Sequence, residues 1–113
     1  MGEPAFCYLT TRGRATGQPH RIEIWFTYVD DDVVAMLAGG RRSSDWVRNI
    51  EHDPAVTVEI DGVVRTGRAR VLAEGEPHDA LARERLVGKY ATASDDLVDW
   101  GRTALGVEVA IEG

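Results

Sequence analysis

The sequence of 113 residues, 43% hydrophobic and 28% charged, fits one soluble globular domain that spans residues 1–113. The formal net charge of −6 argues against broad nucleic-acid binding, and the chain contains no apolar run long enough to cross a membrane. The first residues lack the basic and apolar regions of a signal peptide, and the lone Cys7 cannot form an internal disulfide bond. These features predict a cytoplasmic protein.

Alternating apolar and polar residues predict two strands near the amino terminus, Ala5–Thr11 and His20–Val29. In the second strand one face carries Ile22, Ile24, Phe26 and Tyr28, and Trp25 lies on the opposite face. Trp25 therefore needs a cover, which could be a helix, a second subunit or a flat ring such as a flavin. Gly13 and Gly17 fit a turn between the two strands as residues with positive φ.

The next segments predict a buried strand followed by a short helix. Val33–Ala38 is apolar on both faces, as expected of a strand that is covered on both sides. Ser43 or Ser44 is suited to cap the helix that follows, and Pro54 ends it.

The remaining pattern predicts a hairpin, two more helices and a last strand. Ala55–Ile60 and Val63–Ala73 flank Asp61-Gly62, a dipeptide typical of two-residue hairpin turns. The further elements are a helix from Pro77, a third helix from Ser94 and a strand with Val107, Val109 and Ile111. The predicted order is β-β-β-α-β-β-α-α-β, which favours an α+β fold whose mainly antiparallel sheet can close into a barrel.

A candidate anion site precedes the first predicted helix, in the run Gly39-Gly40-Arg41-Arg42-Ser43-Ser44. Helix N-termini present free N–H groups, glycines let the backbone approach a ligand, and arginine and serine side chains donate to phosphate. The alternative is an ordinary capped helix with a solvated pair of arginines. The loop of residues 12–20, with Arg12 and Arg14, is a second candidate, and its alternative is a plain hairpin turn.

Several catalytic devices are missing from the sequence. His20, His52 and His78 lack metal-ligand spacing, and the chain has no Gly-x-Ser-x-Gly elbow and no P-loop. This pattern suits a protein whose cofactor carries the chemistry while the chain binds and orients it.

Residues 9–19, Leu-Thr-Thr-Arg-Gly-Arg-Ala-Thr-Gly-Gln-Pro, resemble the signature Leu-Thr-Thr-x-Gly-x-x-Ser/Thr-Gly-x-Pro of the deazaflavin-dependent nitroreductase family. A second match follows at the family's spacing, as a glycine pair, a tryptophan, an asparagine and a proline before a strand: Gly39, Gly40, Trp46, Asn49 and Pro54. The resemblance covers most of residues 8–60. It implies a split β-barrel of the pyridoxamine-phosphate-oxidase type with two or three flanking helices.

The resemblance also implies a cofactor and a reaction. The cofactor is coenzyme F420, whose reduced deazaflavin passes a hydride to a quinone-like or nitro acceptor, a small-molecule substrate. The family often has two lysines where this chain has Ala15 and Ala38, and arginines are the expected replacements. The candidate cofactor-binding residues are Arg14, Gln18, Trp25, Gly39, Gly40, Arg41, Arg42, Ser43, Trp46 and Asn49. The candidate catalytic residues are the proton donors His20 and Tyr90.

Two other functions stay open on the sequence alone. The same fold could use FMN in an oxidoreductase, or bind a flavin, haem or fatty acid without turnover, and the missing lysines favour both alternatives. We also expect a homodimer, because Trp25 lies on the second face of its strand and the short chain has few helices to cover it.

Overall fold

A computed structural model describes residues 4–90 and 101–112 of the chain. The strands in these ranges are β1 (Cys7–Arg12), β2 (Pro19–Ile24), β3 (Thr27–Asp30), β4 (Val33–Ala38), β5 (Ala55–Ile60), β6 (Val63–Val71) and β7 (Leu105–Ile111). The helices are α1 (Asp45–His52) and α2 (Pro77–Lys89), and a 3-10 turn, Arg41–Ser43, precedes α1. Residues 101–103 are also helical. The third helix predicted from Ser94 lies outside the described residues, as does Trp100.

The strands of the described residues form one seven-stranded antiparallel sheet in the order β2-β1-β5-β6-β7-β4-β3. β2 and β3 lie at opposite edges of this sheet, although only Trp25 and Phe26 separate them in the sequence. Such a connection spans about 10 Å at most. The sheet must therefore curl until its two edges come together, which confirms the predicted antiparallel barrel.

The single strand predicted over His20–Val29 is wrong, because the chain breaks it at Trp25 and Phe26. The alternating pattern runs through the break without a glycine or proline, so the sequence does not mark it. At this point the chain crosses from one edge of the sheet to the other. Phe26 enters the barrel core, where it is fully buried, while Trp25 packs outside it.

The apolar side chains form two clusters that share β4. The main core fills the barrel and includes Leu9, Phe26, Val34, Met36, Val58 and Val107. The smaller cluster lies where α2 contacts β3 and β4, and includes Val29, Ala35, Leu37, Ala82, Leu86 and Tyr90. β4 thus contributes alternate residues to both clusters, as predicted for a strand that is apolar on both faces.

The local signals at helix α1 and at the β5–β6 turn are largely confirmed. Ser44 occupies the N-cap position, but its side chain makes no capping hydrogen bond, and α1 ends two residues before Pro54. Asp61 and Gly62 have φ angles of 53° and 80°, as a turn with two left-handed residues requires. Of the two loop glycines, Gly17 has a positive φ of 75°, whereas Gly13 is outside the left-handed region.

Candidate functional site

A groove of about 570 Å³ lies between the β1–β2 loop and the start of α1. Its volume is in the range of small-molecule sites. Four of the predicted site residues line it: Arg14, His20, Trp46 and Asn49. Arg14 belongs to the first sequence motif and His20 directly follows it, while Trp46 and Asn49 belong to the second, so the fold brings the two motifs together at one groove.

Asn49 joins the two motifs directly. Its side chain, only 3% exposed, accepts hydrogen bonds at Oδ1 from the backbone N–H of Arg14 at 3.2 Å and from the Arg14 guanidinium at 2.9 Å. Its Nδ2 donates to Oγ1 of Thr11 at 3.1 Å. Asn49 is buried, and its Oδ1 already accepts two hydrogen bonds. We therefore infer that its role is to hold the β1–β2 loop against α1.

Arg14 is held at the rim of the groove and keeps unused donors. Its guanidinium contacts Asn49 Oδ1, the carbonyl oxygen of Asp45 at 3.4 Å and the carboxylate of Asp45 at 3.2 Å. These contacts use three of its five N–H groups. Two N–H groups therefore lack a partner among the described residues and can donate to an anion.

The ring of His20 packs against the loop at Gly13, which has no side chain. A Cβ atom at Gly13 would lie 2.7 Å from Nε2 of His20, closer than non-bonded atoms approach. Gly13 is thus required for the approach of the His20 ring, and not for a positive φ as its place in the loop predicted. His20 is exposed, and its side chain makes no hydrogen bond among the described residues.

The glycine–arginine run before α1 is exposed and lies beside the residues that line the groove. The hydroxyl of Ser43 donates to the carbonyl of Gly40 at 2.5 Å. Arg41 donates to the carbonyl of Thr103, and Nε of Arg42 pairs with Glu51 at 3.3 Å. Each arginine keeps further N–H groups toward solvent. Gly39 is exposed as well, and Trp46, which follows this run, is half-buried against the main core.

Gln18 lies in the turn of the β1–β2 loop, outside the set of groove-lining residues. Its carbonyl accepts from the N–H of Gly13 at 2.8 Å, and its own N–H donates to Oγ1 of Thr16 at 3.3 Å. Gln18 therefore stabilises the conformation of the loop through the hydrogen bonds of its backbone.

Trp25 and Tyr90 are paired with each other, away from the groove-lining residues. Their rings stack with centroids 4.2 Å apart and an interplanar angle of 4°. The Tyr90 hydroxyl donates to the carbonyl of Ala5 and accepts from the N–H of Phe26 at 3.3 Å. The cover that Trp25 needs is therefore Tyr90 at the end of α2, and Trp25 gives no reason to expect a second subunit. Tyr90, 7% exposed, packs in the smaller apolar cluster and is not among the residues that line the groove.

Nucleophilic and metal chemistry find no support in the described residues. Burial raises the pKa of the Cys7 thiol to about 12, so its reactive thiolate form is negligible at neutral pH. Residues 4–90 and 101–112 contain no group of three histidine, cysteine or acidic side chains able to hold a metal ion. Within the same ranges no helix is long and apolar enough to span a bilayer.

Sequence reasoning missed two residues of this site. Thr11 is buried and bonds Asn49 across 38 positions of sequence, and Asp45 pairs with Arg14. Thr11 is part of the first motif, but no local pattern shows that its hydroxyl faces an asparagine on a distant helix. Asp45 lies in the first turn of α1, where an acidic residue is favourable for the helix alone, so its position in the sequence does not indicate the pairing.

Over residues 1–112 the chain matches the family model of the F420H2-dependent quinone reductases. The protein belongs to this family. It is an F420-dependent oxidoreductase, and coenzyme F420 is its cofactor. The sequence matches no curated protein.

Solved structures place the reductase in a known fold. An F420-H2 dependent reductase is 19% identical, with 96% of each chain covered and a TM-score of 0.69. HutZ, the haem storage protein of Vibrio cholerae, is 12% identical, covers 96% of this chain and 82% of its own, and has a TM-score of 0.75. A domain-swapped dimer is 20% identical, covers 96% and 81%, and has a TM-score of 0.68. The fold is the split β-barrel of the pyridoxamine-phosphate-oxidase type, as the resemblance implied.

The groove of the reductase fits a flat cofactor with an anionic part. Arg14 offers two unpartnered N–H groups, and the N-terminus of α1 has no side-chain cap. Trp46 and the His20 ring supply flat surfaces on the walls. This donor set suits phosphate or carboxylate groups at one end and a ring system at the other.

Proposed function

We propose that the groove between the β1–β2 loop and α1 holds coenzyme F420, and that the reductase passes its hydride to a quinone-like or nitro acceptor. The contact between Arg14 and Asn49 carries this proposal. It joins two sequence motifs, 35 residues apart, at a groove of suitable volume. A structural role alone would not require Arg14 to keep unpartnered donors at the groove.

In this proposal the residues of the chain bind the cofactor and orient it. When bound, reduced F420 supplies the hydride. Arg14, Arg41 and Arg42 bind its anionic part through charge-assisted hydrogen bonds. Trp46 provides the wall that fixes the plane of the ring, with Asn49 keeping the loop and α1 in register behind it. Misplacement by about 1 Å can cost 10²-fold in rate, so this rigidity matters as much as the contacts.

His20 is the proposed proton donor to the reduced acceptor. Its ring is exposed at the groove, unpartnered among the described residues, and wedged against Gly13. Replacing it should cost no more than the ~10²–10⁴-fold typical of general acid catalysis. Tyr90, the other candidate from the sequence, has its hydroxyl bonded to backbone groups, which favours a structural role over proton donation.

The test is the oxidation of bound reduced F420 by menadione in a stopped-flow instrument. We expect oxidation that is faster on the protein than in free solution and that slows in a His20→Ala variant. Parallel titrations with F420, FMN and haem give the specificity, with F420 expected to bind most tightly. Oxidation no faster than in solution would favour a carrier, and preference for FMN would favour a flavin enzyme on the same fold.

The reductase is further proposed to form a homodimer through the outer face of β1, β5 and β6. On this face Thr10, Thr57 and Thr66 stand opposite one another across the three strands, and Val64 is 60% exposed. Of the described helices, α2 contacts β3, β4 and β7, while α1 turns its buried residues into the barrel. The domain-swapped dimer among the structural neighbours adds support. Light scattering that finds only a 12.4 kDa species at micromolar concentration would contradict the dimer.

A cytoplasmic location completes the proposal. The one cysteine of the sequence, Cys7, is buried and unpaired, which agrees with a reducing compartment. Fractionation of cells that produce the protein, with a cytoplasmic marker enzyme as reference, tests this location.

A further inference from the structure

Asp45 occupies the place at the groove where an anion would bind. Its carboxylate lies 3.2 Å from the Arg14 guanidinium, and its side chain is 86% exposed. It is the acidic residue of the first turn of α1, where the helix N-terminus favours negative charge. The guanidinium therefore already pairs with a carboxylate of the chain itself, and this carboxylate belongs to the first turn of α1.

Arg14 does not need Asp45 to stay in place. Asn49, which is buried, holds both the backbone N–H and the guanidinium of Arg14 through its Oδ1 atom. The carbonyl oxygen of Asp45 accepts a further bond from the guanidinium and is independent of the side chain. A substitution that neutralises the Asp45 carboxylate should thus leave Arg14 at the groove with more donors available.

We propose that Asp45 is a specificity-determining residue that competes with the anionic part of the ligand for Arg14. It lowers the affinity of the groove for phosphate and carboxylate groups and leaves the ring-binding part untouched. For coenzyme F420 the inference rests on the proposed function. For anions in general it rests only on the contacts of Arg14.

The direct test is a titration of native protein and Asp45→Asn with F420, and with a deazaflavin that lacks the phosphate and the acidic tail. We expect Asp45→Asn to bind F420 about two- to fivefold more tightly, the range that corresponds to one exposed ion pair. The gain should shrink as salt rises. Affinity for the tail-less deazaflavin should stay unchanged.

The chain offers a matched control in Asp32→Asn. Asp32 forms an exposed ion pair with Arg65 at 3.3 Å, so the variant makes the same change of charge at the same kind of pair. Asp32 precedes β4, whereas the glycine run near the groove follows it. Six strand residues of about 3.3 Å each separate the two positions. Asp32→Asn should leave both affinities as in the native protein.

Inorganic tripolyphosphate keeps the test independent of the cofactor. Its binding, followed by the shift in melting temperature, should be tighter for Asp45→Asn than for the native protein and for Asp32→Asn. If Asp45→Asn binds F420 or tripolyphosphate more weakly, Asp45 is a positioning residue and the proposal is wrong. Equal gains for the tail-less deazaflavin, an equal gain in Asp32→Asn, or no tripolyphosphate binding by any variant would also overturn it. Tripolyphosphate binding without any deazaflavin binding would contradict the proposed function alone.

Discussion

Helices α1 and α2 of the reductase differ in how polar groups are used around them. Within α2, Asp79 is 2% exposed and pairs with Arg83 through two hydrogen bonds of 3.1 and 3.2 Å, while the N–H of Gly75 adds a third. Beside the start of α1, Arg14 pairs with a carboxylate that is 86% exposed and keeps two N–H groups without partners in the part of the chain that the structure describes.

The difference distinguishes residues that stabilise the fold, such as Asp79 and Arg83, from residues that are available to bind a ligand, such as Arg14. A buried carboxylate with every oxygen engaged contributes to stability and offers nothing to a small molecule. Exposed arginines with weak partners and an uncapped helix N-terminus contribute little to stability, since surface ion pairs are worth about 0–1 kcal/mol. They can be rearranged around an anion at low cost. We therefore expect mutations near α2 to change stability and mutations near α1 to change binding.

The largest effect on stability is expected at Leu86, which is fully buried between α2 and the sheet. Leu86→Ala should lower the free energy of unfolding by about 2–5 kcal/mol, because it removes apolar contacts and leaves a cavity. Urea unfolding measures this loss. At temperatures where the variant is folded, its affinity for F420 should equal that of the native protein, and a clear drop would show that the two regions are coupled.

Asn49 is the residue where stability and binding should change together. Asn49→Ala leaves Thr11 and the N–H of Arg14 without their partner and should cost about 1–3 kcal/mol in the free energy of unfolding. It should also weaken F420 binding by about tenfold or more, because Arg14 and its loop lose their fixed position. His52→Asn, an exposed change at the other end of α1, is the control. Native affinity in the folded Asn49→Ala variant would refute the role of the Arg14–Asn49 contact.

Cys7 gives the stability of the fold a dependence on alkaline pH. Burial raises its pKa from 9.0 to about 12, against the weaker opposing effect of the Lys89 charge. A raised pKa in the folded state means that stability is intact below pH 9 and falls as the pH rises from 9 toward 12. At pH 10 the loss should be about 1.4 kcal/mol. Unfolding of the native protein and of Cys7→Ala across this range isolates the effect, since only the native protein should show this component of the decline.

A smaller effect is expected for the Tyr90 hydroxyl. Tyr90→Phe keeps the stack on Trp25 but removes the bonds to Ala5 and Phe26, which should cost about 0.5–1.5 kcal/mol in the free energy of unfolding. The rate at which menadione oxidises bound reduced F420 should stay near the native value. A rate loss of 10²-fold with little change in stability would instead restore Tyr90 as a proton donor.

Local sequence signals predicted most of the fold. The Asp61-Gly62 turn, the doubly buried β4 and the end of α1 before Pro54 each depend on residues that are neighbours in sequence. The break at Trp25 and Phe26 could not be predicted, because it exists only where the curled sheet brings β2 and β3 together. The Trp25–Tyr90 stack has the same origin, since a strand pattern shows that a tryptophan needs cover and not which residue supplies it.

The sequence predicted a part of the residues that line the groove and none of the contacts between them. Of the predicted site residues, Arg14, His20, Trp46 and Asn49 line one groove. The other predicted residues are not among those that line it: Gln18, Trp25, Gly39, Gly40, Arg41, Arg42, Ser43 and Tyr90. The sequence could not show that Asn49 faces the β1–β2 loop, because that contact joins positions 35 residues apart. It also could not show that Asp45 pairs with Arg14, which depends on where the loop meets the helix.

Titration of F420 into three proteins tests whether the groove beside α1 binds the cofactor. The proteins are the native protein, Arg14→Ala and Arg83→Ala. Each variant loses one arginine that is paired with an aspartate. Arg14 lies at the groove and Arg83 lies in α2. We expect Arg14→Ala to weaken F420 binding by about 1–3 kcal/mol, because it loses one charge-assisted contact. Arg83→Ala should be less stable but bind F420 as the native protein does while it is folded. Native affinity in Arg14→Ala, or an equal loss in both variants, would contradict the claim.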